Sequence, residues 1–370
     1  AKGPAALFGL PPAGRAQLLA LLAAGEGRSL LVVTAGEAEA TRFAADLAAF
    51  GLPAAVFPPR DFVLRPLEGA GREYEYRRLA VLGDLVGGRL KAVCAPAEAF
   101  LQYTVPRAEF CANTLTLKPG MAIPLKELEA RLAAAGYHRR GQVEGPGQFS
   151  VRGGILDVFP PDAPQPARVE FWGDEIESID EIDQVTGEVL NSYEALPIWP
   201  ASHYVTARPK MDKALGTIQD ELRERLMQFK EEGKLLEAQR LEMRVNYDLE
   251  MLETMGFCSG IENYSRHLDG RAPGEPPYTL IDYFPKDFLC IIDESHVTVP
   301  QIRGMHEGDR SRKITLAEHG FRLPSCLDNR PLRFDEFEER IPQFIYVSAT
   351  PGDYEERVSQ AKVDQVIRPT

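Results

Sequence analysis

The sequence predicts an α/β protein in which one parallel sheet is interrupted by a β-rich insert and a helical insert. Three stretches carry that prediction. Residues 9–16 (GLPPAGRA) keep the glycine spacing of a phosphate loop, with an apolar run at 5–10 before it and a helix-forming stretch at 16–24 after it. Residues 288–292 (FLCII) are an unbroken apolar run of the kind that forms a strand buried on both faces, and they end directly in Asp293-Glu294-Ser295-His296. A second such run, 344–347, ends in Ser348-Ala349-Thr350. Open α/β sheets place ligands beyond the carboxyl ends of their strands, where both polar boxes fall.

The elements follow in order. Residues 30–34 (LLVVT) suit a buried strand, 37–50 an amphipathic helix, 54–57 a short strand, 72–86 a helix and 90–95 a strand, the alternation of an α/β unit. From about 111 the character changes to short runs at 115–117, 150–159, 167–172 and 175–182, separated by Gly and Pro turns, with one helix at 125–135. Residues 210–255 return to helix, with Leu215, Ile218, Leu222 and Leu226 on one face and a break near Gly233; the stripe reads as core and the charges as a solvated face. After a turn-rich stretch at 256–277 the α/β character resumes. The expected divisions are 1–110 and 277–370 for the two parts of one lobe, 111–200 for the β-rich insert and 208–276 for the helical insert.

Composition bounds the function. At 370 residues the chain is long for one core, and 44% hydrophobic with 26% charged residues is ordinary for a soluble globular protein. A net charge of −13 (42 basic against 55 acidic) excludes a protein that clings to nucleic acid over its whole surface, leaves a local basic groove open and favours protein partners. No run approaches ~18 uncharged apolar residues, so no membrane span is expected, nor is a signal peptide. The five cysteines, Cys94, Cys111, Cys258, Cys290 and Cys326, are odd in number and form no C-x-x-C pair. They point to a reducing, cytoplasmic setting and no structural metal.

The chemistry is split. A phosphate loop needs converging N–H groups, a Lys on the terminal phosphates and a hydroxyl on Mg²⁺; here Pro11 and Pro12 remove donors, Arg15 replaces the Lys with a bulkier fork and Ala16 offers no oxygen. At the other end Asp293 is placed to hold Mg²⁺ and Glu294 to orient or deprotonate an attacking water, although an isolated Asp-Glu pair also caps helices. In the β-rich insert, period-two alternation over 167–172 puts Arg168, Glu170 and Trp172 on one face, with Val169 and Phe171 on the other. Two readings of that face stay open: a binding hot spot, or a cross-strand ion pair with the Trp lying over it. Arg152, on the preceding strand, falls on the same side. A further candidate is phosphate contact through Arg240, Arg244, Arg266, His267 and Arg271, which are interleaved with acids.

These residues also carry a resemblance. From about 196 to 370 the chain is similar to the UvrB family of bacterial nucleotide excision repair, through PASHYVT, GKLLEAQRLEMRVNYDLEM, MGFCSGIENYSRHL, PYTLIDYFP, DESHVTVPQIRGM, HGFRLPSCLDNRPLRFDEFE, YVSATPG and IRPT. Residues 1 to about 160 instead resemble the N-terminal part of the Mfd family of transcription-repair coupling factors, which is itself similar to UvrB but carries a degenerate phosphate loop. VRGGILDVFP and RVEFWGDEIESID lie in the insert that both families share. The seam falls near 150–195, which suggests a hybrid, natural or built, and Ala1 in place of an initiator Met fits a trimmed or engineered chain.

The resemblance implies a RecA-like P-loop helicase lobe of superfamily 2 type. Asp293, Glu294 and His296 match motif II, and Ser348, Ala349 and Thr350 match motif III. With Gly9, Gly14, Arg15 and Ala16 they would line a nucleotide site, Asp293 holding Mg²⁺ if nucleotide binds. ATP and Mg²⁺ are implied by resemblance alone; no cofactor is expected, because the family's Lys and Thr are replaced and its second lobe would begin where this chain stops. The family's tyrosine-rich hairpin has only Tyr74 and Tyr76 as counterparts, in a segment read as shortened and helical. The insert resembles the surface that docks on UvrA, with Arg152, Arg168, Glu170 and Trp172 carrying the contact and Phe171 supporting them. The expected function is a UvrA-binding repair module without turnover alone, touching DNA weakly and no membrane. The alternative is a truncated ATP-dependent helicase or damage-recognition subunit of the UvrABC excinuclease that binds DNA and ATP.

Overall fold

The computed structural model describes residues 12–60, 72–206 and 208–359. Helix α1 (Pro12–Glu26) comes first, followed by β1 (Leu30–Thr34), α2 (Glu37–Ala49), β2 (Ala54–Val56), α3 (Glu73–Val86), β3 (Ala92–Pro96), α4 (Ala97–Phe100) and α5 (Arg107–Ala112). The β-rich insert contributes β4 (Leu115–Leu117), α6 (Leu125–Ala134), β5 (His138–Arg139), β6 (Gln148–Arg152), β7 (Ile155–Phe159), β8 (Ala167–Trp172), β9 (Glu175–Ile182), β10 (Val189–Ser192) and β11 (Leu196–Ile198). Helices α7 (Arg208–Glu231), α8 (Leu235–Met255) and α9 (Ser265–Asp269) form the helical insert. The chain then returns through β12 (Leu289–Ile292), α10 (Ser295–Glu318), α11 (Phe334–Arg340), β13 (Phe344–Tyr346) and α12 (Asp353–Val358).

The architecture is mixed α/β, a helicase-like lobe with two inserts. Its sheet has five strands in the order β13-β12-β1-β3-β2, with every neighbour parallel. Alternate residues face opposite layers. Leu31, Val33, Val93, Ala95, Cys290 and Ile292 join one apolar cluster, and Leu30, Val32, Ala92, Cys94, Leu289 and Ile291 join the other. Burial on both faces is why these strands read as unbroken apolar runs rather than alternating ones. It also brings β12 beside β1 across more than two hundred and fifty residues of chain, with Leu289 opposite Leu30.

The insert forms a second sheet of six strands, ordered β10-β9-β8-β7-β6-β5. The single run expected at 150–159 is two antiparallel strands, because Gly153 takes a left-handed φ of 62° and the chain reverses there. Helix α6 lays Leu128 and Leu132 on Phe149, Leu156, Val158, Val169 and Ile179 of this sheet. Strands β4 and β11 pair antiparallel, Leu117 opposite Leu196, so the insert leaves and rejoins the lobe at one place. In the helical insert α7 and α8 pack through Ile218, Leu222 and Phe229 against Ala238, Leu241 and Val245, with Leu215 partly buried at the margin.

Candidate functional site

The carboxyl ends of β1, β12 and β13 meet at one corner. The Asp293 N–H donates to the Val33 carbonyl at 2.8 Å, Ser295 N–H to Val347 O at 2.9 Å and Val347 N–H to Ile292 O at 2.9 Å. The Thr298 hydroxyl donates to the Asp293 carbonyl at 2.8 Å and closes the turn into α10. Glu294 adopts φ 43° and ψ 53°; among the described residues it is the one non-glycine with positive φ. Such strain persists only where the surroundings over-determine it, and it clusters at functional sites. His296 Nδ1 lies 2.8 Å from Ser348 Oγ, which accepts the Thr350 N–H at 3.1 Å, so the two polar boxes are physically linked.

Into this corner α1 sends Arg15. Its Nη1 donates to Asp293 Oδ1 at 2.9 Å and stands 3.6 Å from Glu294 Oε1. The Asp293 side chain is 13% exposed. Burial pushes its carboxyl above the ordinary range, while the Arg15 guanidinium pulls it back down. The described part of α1 begins at Pro12, earlier than the stretch 16–24 anticipated, and Gly14 lies inside the helix. Ala16 is fully buried against the layer that contains Leu30 and Val32. Gly9, Pro11 and the run 5–10 lie outside the described residues, as does IRPT at 367–370. Among the described residues no group of three or more His, Cys, Asp and Glu could hold a metal ion, and no helix is long and apolar enough to cross a membrane.

A second constellation lies on the insert. Arg168 grips Asp157 with two bonds, Nε to Oδ1 at 2.8 Å and Nη2 to Oδ2 at 3.0 Å, and Arg152 Nη2 adds a third at 3.1 Å. The strand register causes this, since Asp157 of β7 stands opposite Arg168 of β8. Asp157 is 6% exposed, Arg168 23% and Arg152 58%, so an almost buried acid holds two arginines whose outer faces meet water. The bond to Asp157 raises the Arg168 pKa above its usual value.

One reading of this face needs correction. The cross-strand ion pair exists, with Asp157 of the neighbouring strand as its acid, but Trp172 does not cover it, being 81% exposed at the strand end opposite Glu175. The register shift beside Glu170 and Phe171 skips Glu177 of β9, since Glu170 faces Ser178 and Phe171 faces Ile176, so β8 keeps its period of two and Trp172 stays on the side of Arg168 and Glu170. Phe171 packs against the insert core, and Glu170 is half-buried opposite Ser178. A cleft of about 290 Å³ runs beside the arginines, lined by Arg152, Asp157, Arg168, Ile182 and the turn from Asp183 to Gly187. Asp157 and this turn were missed; the available signal was a lone acid in ILDVF, on the face that alternation assigns to the arginines.

The phosphate-facing set in the helical insert does not form. Arg240 donates to the His319 carbonyl and stacks on Phe321, Arg244 binds Asp248, and Arg266 pairs with Asp328. His267 sits between Thr217 and Glu221, and Arg271, 7% exposed, holds Asp269 and the Asp328 carbonyl. All five are engaged within the protein, Arg244, Arg266, His267 and Arg271 by acids and Arg240 by a carbonyl and a ring. Tyr76 packs into the cores of both lobe and insert.

Residues 115–204 match the family model described as the UvrB interaction domain, and residues 209–270 the one described as the UvrB third helical domain. The chain is 49% identical over 318 residues to the UvrABC system protein B of Chloroflexus aggregans, covering 86% of this chain and 48% of that protein. With the same protein of Caldicellulosiruptor saccharolyticus the figures are 47% over 332 residues, 90% and 50%, and with that of Geobacillus kaustophilus 57% over 263 residues, 71% and 40%. This chain spans about half the length of the curated relatives it matches. Both inserts thus resemble UvrB domains, and the chain is similar to UvrB proteins over most of its own length.

Proposed function

We propose that this chain is a nucleotide excision repair module that docks on UvrA through its β-rich insert and carries it on a helicase-like lobe whose nucleotide site is disabled. The observation that carries the docking half is the Arg152 and Arg168 pair clamped on Asp157, inside the segment that resembles the UvrB interaction domain. A bidentate, nearly buried carboxylate fixes two guanidinium groups in place, so a partner meets preorganised cationic donors. Trp172 adds an exposed aromatic at the far end of β8, Phe171 anchors that strand end in the core, and Glu170 completes the polar edge.

The nucleotide half of the reading rests on Arg15. Its guanidinium stands on the Asp293 oxygen that Mg²⁺ would need, and buried Ala16 supplies no hydroxyl. The residues present therefore do not fit Mg·ATP, and Gly14, Glu294, His296, Ser348 and Thr350 are left as a structural corner without turnover. The Mfd-like origin of residues 1 to about 160, and so the hybrid with its link to transcription-coupled repair, belongs to this proposal too; the degenerate loop supports it. A second reading, a truncated ATP-dependent helicase or damage-recognition subunit that binds DNA and ATP, is favoured by the intact link from His296 to Ser348.

Capture of UvrA by the immobilised chain tests the first reading. The wild type should retain UvrA, and Arg168→Ala and Trp172→Ala should each weaken retention; equal capture by all three proteins would remove the proposed face.

A further inference from the structure

We propose that the partner-docking surface of the insert extends beyond the arginine pair onto the β9–β10 hairpin, where Val185 and Val189 form an apolar ridge that meets an apolar strip on UvrA. This rests on the reading that the insert docks on UvrA. Val185 is 89% exposed and Val189 60%. They are not scattered surface apolars. Val185 lines the same cleft as Arg152 and Arg168, and Val189 pairs across the strands with Ile182, which lines that cleft as well. Both valines therefore stand on the arginine side of the sheet.

The tip is also held rigid. Asp183 Oδ1 accepts the N–H groups of Val185 at 2.9 Å and Thr186 at 2.7 Å, and Gly187 takes a φ of 74°. Gln184 is tied twice, its N–H to Gln165 Oε1 at 3.2 Å and its Nε2 to the Glu144 carbonyl at 2.7 Å. A preorganised apolar tip loses little freedom on binding. Exposed apolar side chains rimmed by polar groups mark interaction surfaces. The β8 strand from Trp172 to the hairpin end is roughly 20 Å long at about 3.3 Å per residue, within one side of a standard interface. Charge adds to the match: Arg152 commits Nη2 to Asp157 and remains 58% exposed, so an acidic UvrA residue flanked by apolar ones fits the cleft mouth.

The test compares UvrA affinity for the full chain with that of Val185→Asp, Val189→Asp, the double variant carrying both, and Arg168→Ala, each checked by its melting curve. Because both valines are exposed, their variants should melt like the wild type and weaken UvrA binding by about tenfold or more, the scale of a hot-spot loss. Wild-type affinity in the double valine variant, with Arg168→Ala impaired, would end the footprint at the arginines and overturn this inference while sparing the docking reading. Failure of the wild type to bind UvrA would overturn both. A concentration-dependent dimer that Val185→Asp abolishes would assign the ridge to self-association and overturn it as well.

Discussion

Replacing Arg15 with Ala probes the corner where the lobe's distant segments meet. The substitution removes the guanidinium 2.9 Å from Asp293 and leaves that carboxylate, 13% exposed, beside Glu294 with no cation. Exposed pairs are worth about 0–1 kcal/mol and breaking buried ones costs about 3–5 kcal/mol; with Arg15 itself 28% exposed, the expected loss is about 2 kcal/mol near pH 7.5. The loss depends on pH. Burial already raises the folded Asp293 pKa above its unfolded value, and removing Arg15 raises it further, so folded Asp293 binds a proton more readily than unfolded. An acid shifted upward weakens folding as pH rises through its folded pKa and costs nothing once both states are protonated. The deficit of the variant should therefore be full at pH 7.5 and shrink toward pH 4. Urea unfolding followed by Trp199 fluorescence reads this, because Trp199 is buried in the lobe core and stacked on Phe110. A variant as stable as the wild type at both pH values, or a deficit that does not change with pH, would refute the ion pair as described.

Other perturbations follow from the same packing. Gly320 has a φ of 71°, and a Cβ there would overlap the Glu237 carbonyl oxygen, so Gly320→Ala should cost about 2–4 kcal/mol in thermal or urea unfolding, strain and backbone overlap adding. Asp269 is held at a pKa of about 6 by burial, against the pull of Arg271; its contribution to stability should fall as pH rises from about 4 to 6. Asp269→Asn should thus gain on the wild type across that window, by about 3 kcal/mol at most, in paired pH-stability curves. Arg78 is fully buried and donates to the carbonyls of Pro58 and Tyr103 and to Gln102 Oε1, so Arg78→Leu should destabilise by about 3 kcal/mol through orphaned acceptors, measured the same way.

What was legible in the sequence was what local periodicity controls. The runs 30–33 and 288–292 are apolar at every position because both faces of their sheet are covered, and the alternation in 167–172 holds along the strand, with Val169 and Phe171 on the core side. The pair of strands inside 150–159 was blurred because both are apolar and only two glycines part them. Arg15 read as an absent Lys; its bond to Asp293 joins residues 278 positions apart, and no local window contains both. The basics of the helical insert misled for the opposite reason: on paper they are a positive series, whereas in space Arg244 meets Asp248, Arg271 meets Asp269 and Arg266 meets the distant Asp328. Asp157 needed the partner strand to explain it.

Whether the corner held by Arg15 and Asp293 still takes nucleotide decides between a repair module and a working ATPase. Equilibrium titration of the whole chain with labelled ATP and Mg²⁺ answers this most directly. The guanidinium on Asp293 predicts no saturable binding at millimolar nucleotide; a micromolar dissociation constant, competed by unlabelled ATP, would contradict it.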